Sequence, residues 1–275
     1  MAEADRQKAK VVLHWLDKSR SQRILWLIEE CKVDYELKIY KRQKDGLAPP
    51  ELKQVHPLGK SPVIEIFAPG SEKSIVIAES GFMIEYLCEH FGPQFVPKRY
   101  ADGKEGQIGG EAEEWLRYRY FMHYAEGSLM TLNILALFMD SKSTLRFVFF
   151  GRILMRSLDI RNSAVPFFIK PVTRGVADKV DSFYLSPNFK THFAFLDSQL
   201  ATSPDGGDFL CGTKLTGADI LMSFPLMAAK SRSMLKAEQY PALFAYVEML
   251  EGLDGYKKAA NKIEEMTKEP FKAFL

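Results

Sequence analysis

Cysteine is scarce. Three residues in a chain of 275, Cys31, Cys88 and Cys211, form no Cys-x-x-Cys pair and show no metal-ligand spacing. A disulfide framework or a zinc finger is excluded, and reduced, buried thiols of a cytosolic protein are expected. No metal site is expected either. Long apolar runs are also missing. The longest, ILALFM (134–139), FVFF (147–150) and ILMSFPLMAA (220–229), fall well short of the roughly 18 residues a spanning helix needs. The N-terminus, MAEADRQKAK, has no apolar core, so no secretory leader or transit peptide is expected there. Nor does one charge dominate. Lys and Arg number 37 against 35 Asp and Glu, which leaves a net +2 and no electrostatic footprint for nucleic acid.

What is present divides in two. VVLHWL (11–16) reads as a buried strand, and residues 20–31 carry Ile24, Leu25, Leu27, Ile28 and Cys31 at helical spacing. YELKIY (35–40) alternates apolar with charged, as a half-buried strand does, and PPELKQ suits a short helix. VIEIF (63–67) and SIVIA (74–78) flank a turn at Pro69-Gly70, and a helix opens at Ser80. The predicted order is β-α-β-(α)-β-β-α, a four-strand mixed sheet that begins parallel and ends antiparallel. Residues 92–110 are rich in Gly, Pro and charge and read as a linker. Beyond it strand signals fade, and helices are expected over 111–139, 172–200, 216–231, 241–253 and 256–267. The expected architecture is an α/β domain over 1–95 and an all-α domain over 105–275, interrupted by a 140–170 insert.

Two places carry chemistry. In HPLGKSPVIE (56–65), Pro62 stands at the first position of a strand, where a residue without an N–H is tolerated. A cis peptide there would turn the Ser61 backbone toward open space, ready to pair with an extended peptide ligand. Base rates alone favour trans, since cis accounts for about 5–6% of X–Pro bonds. In AES (78–80), Ser80 opens a helix whose first N–H groups lack partners and hold a carboxylate well. As an isolated feature, Ser80 is more simply an ordinary cap, and Glu79 a solvated neighbour.

HPLGKSPVIE and AES, with HWLDKSR, APPELK, LTGADILMSFPL, YAEGSL and YPALFAYVEMLEGLDGYKKA, together resemble the cytosolic glutathione transferases. They are most similar to the fungal branch, which includes an endoplasmic-reticulum-associated enzyme. The resemblance covers nearly the whole chain outside the insert. It implies a thioredoxin-like N-terminal domain, a helical C-terminal domain, a homodimer and a cis Pro62. Reduced glutathione is implied as co-substrate, and a hydrophobic electrophile as the second substrate. The Ser61 backbone would pair with the cysteinyl unit, Ser80 would hold the γ-glutamyl carboxylate and Glu79 its ammonium. Lys60 would meet the glycyl end, with Arg42 and Lys44 as competitors, while His56 fixes the loop.

The hinge DKSRS (17–21) contains no tyrosine, which excludes the tyrosine-type variant, and no cysteine, which argues against the thiol-reducing branches that use Cys at this point. Ser19, four residues before Arg23, resembles the activating residue of the serine-type branches. Lowering a thiol from about 8.5 by two units takes about 2.7 kcal/mol. One charge-assisted hydrogen bond of about 1.5–3 kcal/mol and a helix N-terminus of about 0.3–2 kcal/mol suffice, without a general base. Ser21, two residues on, is expected to turn away or bond locally, and Arg20 to add positive potential or be solvated.

Tyr118, Phe121 and Tyr124, on the first long helix, are the nearest candidates for a wall of the electrophile pocket. An aromatic stripe at helical spacing is more often core. Glu126 and Gly127 suit packing or a dimer seam, and Thr216 with Asp219 forms a structural capping box. The expected activity is conjugation of the glutathione thiolate to electrophiles in detoxification and oxidative stress, with a peroxidase side activity. The alternative is a binding or regulatory protein that keeps the fold without turnover. FVFFGRILMR and AVPFFIK, with Arg146, Arg152, Arg156 and Arg161, offer a peripheral contact with a membrane such as the endoplasmic reticulum, or core for the helical domain.

Overall fold

The computed structural model describes residues 9–139 and 170–274. The insert and its four arginines lie outside the described residues. Strand β1 (Lys10–Leu16) is buried from its second residue on. It pairs in parallel with β2 (Tyr35–Tyr40) and antiparallel with β3 (Val63–Phe67), which pairs antiparallel with β4 (Ser74–Ala78). The spatial order β2-β1-β3-β4 is the mixed sheet expected from the alternation.

Because side chains alternate along a strand, Val11, Leu13 and Trp15 share one face with Ile64, Ile66 and Ile77. That face is covered by α1 (Ser21–Cys31) and α3 (Ser80–Phe91), while α2 (Leu52–Val55) is a single short turn. On the other face, His14 bonds across the strands to the Tyr40 hydroxyl at 2.9 Å and to Glu65 at 2.8 Å.

The second half is helical. Helix α4 (Glu113–Tyr124) passes through a five-residue π-turn, Ala125–Leu129, into α5 (Met130–Met139). Helix α6 (Lys170–Val180) runs through a second π-turn into α7 (Ser186–Ala201). Helix α8 (Gly217–Ser231) is buried from Gly217 to Ala229 and forms the axis of this half. Its capping box works as the sequence implies. Asp219 accepts from the Thr216 N–H and hydroxyl, and also from the Leu210 N–H and the Tyr246 hydroxyl.

Helices α9 (Pro241–Gly252) and α10 (Asp254–Thr267) complete the bundle. Helix α1 packs on α3, α8 and α10, so the end of β1 and the start of α1 sit where the two halves meet. The tail after α10 returns across the sheet edge. Glu269 pairs with Lys41 at 2.7 Å, and the Phe274 ring lies 4.9 Å from that of Phe224. Among the described residues, no helix is long and apolar enough to cross a membrane.

Candidate active site at the end of the first strand

The chain leaves β1 at Leu16, turns through Lys18 with φ 50°, and enters α1 at Ser21. Ser19 sits in this turn, 7% exposed. Its Oγ donates to the Leu16 carbonyl at 2.8 Å and accepts from the Ser21 N–H at 3.1 Å. Part of its role is thus a local cap, satisfying an N–H that the first helical turn leaves without a partner.

Ser21 corrects the sequence expectation. It neither turns away nor bonds only locally, because the fold presses it between two segments. Fully buried, its Oγ accepts from the Leu16 N–H at 3.1 Å and lies 2.7 Å from Ser19 Oγ and 2.8 Å from Ser61 Oγ. Ser61 in turn donates to the His14 carbonyl at 2.8 Å. The β1–β3 register, with His14 opposite Val63, carries Ser61 alongside the end of β1.

Beneath the turn lies an ion cluster that the sequence does not reveal. Arg23, 1% exposed, donates to the Leu221 carbonyl at 2.8 Å and to the Glu126 carboxylate, and its guanidinium stands 5.7 Å from the Phe224 ring centre. Arg20 reaches the same carboxylate oxygen at 2.9 Å. Burial pulls the Arg23 guanidinium down to about 10, against the opposing pull of Glu126, so it remains charged at neutral pH. Burial also pushes the Glu126 carboxyl up, but Arg23 and Arg20 outweigh it and leave the carboxyl below its ordinary value. Glu126 reaches inward from the π-turn and clamps the hinge to the helical half. The available signal was an arginine directly before the apolar run ILWLI.

The Ser61–Pro62 peptide is cis, as the resemblance implies and against the base rate. Pro62 is buried and Lys60 exposed. Glu79 is exposed, with a left-handed φ of 71°, and Ser80, 6% exposed, begins α3. No side-chain cap bond closes that helix terminus. Lys60, Ser61 and Pro62 thus lie on the loop entering β3, and Glu79 and Ser80 on the turn leaving its neighbour β4. Arg42 is held elsewhere, donating to the Asp17, Lys18 and Gly46 carbonyls at 3.0 Å each, which fixes the loop after β2. His56 accepts from the Leu58 N–H at 3.4 Å within its own loop.

The aromatic candidates separate. Tyr118 and Phe121, 3% and 0% exposed, are core residues, because the side of α4 that carries them packs on α8 and the neighbouring helices. Neither ring has a face open to a ligand. Tyr124 is also mostly buried, but its hydroxyl bonds His192 and its ring stacks on the half-exposed Tyr120 at 5.5 Å. With Arg119, His123 and Ser128, these two tyrosines line an open groove of about 360 Å³. Sequence reasoning passed over Tyr120 and His192.

Comparisons with known proteins bear on the family and the fold. The family model of the glutathione S-transferase N-terminal domain matches residues 19–90, and that of the C-terminal domain matches residues 158–261. Glutathione S-transferase 1 of Saccharomyces cerevisiae is 33% identical over 252 residues, covering 92% of this chain and 94% of that protein. A glutathione S-transferase structure from Actinobacillus pleuropneumoniae superposes with TM-score 0.59 at 26% identity, over 96% of this chain and 95% of that one. A glutathione transferase homolog from Lodderomyces elongisporus, solved with two GSH per subunit, has TM-score 0.57 at 16% identity, over 91% and 97% of the two chains.

Proposed function

We propose, for a chain that belongs to the glutathione S-transferase family, that Ser19 stabilises the thiolate of bound glutathione for attack on an electrophile. As a glutathione transferase, the protein needs a site that holds a tripeptide in extended form and lowers the pKa of its thiol. The observation that carries the reading is the meeting of Ser19 with Ser61, linked through Ser21 by contacts of 2.7 and 2.8 Å. The reading is supported by the short path from the candidate activating hydroxyl to the loop proposed to receive the cysteinyl backbone.

The Ser19 hydroxyl donates to the Leu16 carbonyl. Serving a thiolate requires one rotation of the hydroxyl and gives up a neutral hydrogen bond worth about 1 kcal/mol. The charge-assisted bond that replaces it, with the α1 terminus behind it, still lowers the thiol by about one to two units. Ser19 attacks nothing and keeps its hydrogen. The glutathione sulfur forms the new bond, and the electrophile's leaving group departs with the electron pair. With a hydroperoxide, the same thiolate attacks the distal oxygen, the O–O bond breaks with departure of the alkoxide, and a second glutathione reduces the resulting sulfenic acid to give the disulfide and water.

Ser80 is assigned to the γ-glutamyl carboxylate, Glu79 to the ammonium and exposed Lys60 to the glycyl end. A homodimer fits the surface. Exposed Phe82 stands three residues before Glu85, and exposed Leu116 three before Arg119. The Arg119–Glu85 pair joins these two helices, so both apolar side chains lie on one face.

The test compares wild type and Ser19→Ala in conjugation of glutathione to a chlorodinitrobenzene substrate, with the thiol titrated in the bound state. The variant should bind glutathione with little change, lose about 10²-fold in kcat and raise the thiol midpoint by about one to two units. Equal turnover in the two proteins would overturn the role of Ser19. Absence of turnover in both, with electrophiles and hydroperoxides alike, would favour a binding protein.

A further inference from the structure

The hydroxyls at the hinge form a chain whose two ends are both acceptors. Ser19 Oγ lies 2.8 Å from the Leu16 carbonyl, and Ser61 Oγ lies 2.8 Å from the His14 carbonyl. Between them, Ser21 Oγ lies 2.7 Å from Ser19 and 2.8 Å from Ser61. There are thus four short oxygen–oxygen contacts, while three hydroxyls bring three protons. Carbonyls contribute none, so at least one contact lacks a hydrogen, and a second does when the Ser19 proton turns outward.

The position of that gap depends on Ser21. Its oxygen is held from behind by the Leu16 N–H at 3.1 Å, and its single proton can reach either Ser19 or Ser61. While Ser61 donates to His14 and Ser19 to Leu16, both neighbours offer lone pairs and compete for it. When the Ser19 proton turns outward, the Ser19 oxygen goes on accepting from the Ser21 hydroxyl and the Ser21 N–H, and its proton no longer serves Leu16. A hydroxyl that accepts a hydrogen bond donates more strongly, because successive bonds polarise one another in a low-dielectric site.

We propose that Ser21 is a positioning residue for the transferase reaction: its hydroxyl, anchored on the Leu16 N–H, donates to Ser19, turns the Ser19 proton toward the glutathione thiolate and strengthens that bond, in competition with Ser61. The inference rests on the assignment of Ser19 as the thiolate's donor. No proton changes owner. Each oxygen keeps its hydrogen, and only the directions in which the hydrogens point are altered. The chain also gives the Ser61 side chain a part distinct from its backbone's, since it draws the Ser21 proton away from Ser19.

The competition predicts shifts of opposite sign, which a merely structural serine would not produce. The thiol of bound glutathione is titrated through thiolate ultraviolet absorbance at saturating glutathione, in wild type, Ser19→Ala, Ser21→Ala and Ser61→Ala, with melting curves confirming each fold. Ser21→Ala should raise the midpoint by about 0.5 unit, about threefold less thiolate at a fixed pH below it, because the donor to Ser19 is gone. Ser61→Ala should lower it by a smaller amount, because the Ser21 proton then has Ser19 as its partner. A Ser21→Ala midpoint within about 0.2 unit of wild type, or a Ser61→Ala midpoint that rises, would overturn the proposal. If Ser21→Ala does not fold, Ser61→Ala decides alone: a fall supports the proposal, and an unchanged or higher midpoint refutes it. Ser19→Ala keeps the two assignments separate. If it leaves the midpoint unmoved, the Ser19 reading itself fails. If it raises the midpoint while Ser21→Ala does not, only the positioning role of Ser21 falls.

Discussion

Replacing Glu126 by glutamine keeps the shape of the side chain and removes the charge that faces Arg23 and Arg20. The Arg23 guanidinium is 1% exposed and would retain the Leu221 carbonyl at 2.8 Å and the Phe224 ring at 5.7 Å. Among the described residues its Nε has no partner, so none of them offers an acceptor in reserve. Breaking a fully buried ion pair from one side costs about 3–5 kcal/mol. The Glu126 side chain is 37% exposed, so water screens part of the interaction and the expected loss is nearer about 2 kcal/mol. For a chain of this size that lowers the melting temperature by about 4–8 °C.

The dependence on pH carries a sign. The folded Glu126 carboxyl lies below its ordinary value, so its stabilisation is complete above the unfolded value of about 4.3 and is lost as pH falls through the folded one. The gap between wild type and Glu126→Gln should therefore be constant from about pH 6 to 8 and close below about pH 4. Chemical denaturation at several pH values measures it. A double variant, Arg23→Met with Glu126→Gln, should be more stable than Glu126→Gln alone, because the stranded charge is gone. A gap under about 0.5 kcal/mol at neutral pH, or one unchanged at pH 3, would refute the argument that this pair clamps the hinge to the helical half.

Asp219→Ala strips one buried carboxylate from four donors and should cost about 4 kcal/mol in denaturant unfolding. The thiol midpoint of bound glutathione should not move. The Cys31 thiol is pushed up to about 12, chiefly by burial, so folded protein at neutral pH should react with iodoacetamide about 10³-fold more slowly than a free cysteine of ordinary pKa. Labelling at the free-cysteine rate would show that the thiol is not shielded. Phe82→Asp, which places a charge on the proposed dimer face, should shift the protein to the monomer mass in light scattering without lowering its melting temperature as a core substitution would. A wild type already at the monomer mass would refute the proposed dimer, and a variant that keeps a dimer mass would rule out this face as its contact.

The strands were legible because their alternation was clean, and the α8 cap because its four-residue pattern contains its own partners. Legibility failed where two distant segments meet. Ser19 could be singled out from the hinge and the family pattern, but the nearness of Ser21 to Ser61 follows from the β1–β3 register, and a one-residue slip would have sent the same side chains to opposite faces. Tyr118 and Phe121 failed for a related reason. Helical spacing says which residues share a side of α4, not whether that side meets core or cleft. Arg42 was a reasonable carboxylate ligand by charge alone, until three backbone carbonyls within its reach took its donors. In each case the contact partner comes from another stretch of chain, which the local pattern does not contain. The hinge is the sharpest instance: its two serines differ by two positions, yet Ser19 bonds within its own turn while Ser21 also reaches a loop 40 residues away, so the difference between their contacts belongs to the fold rather than to the motif.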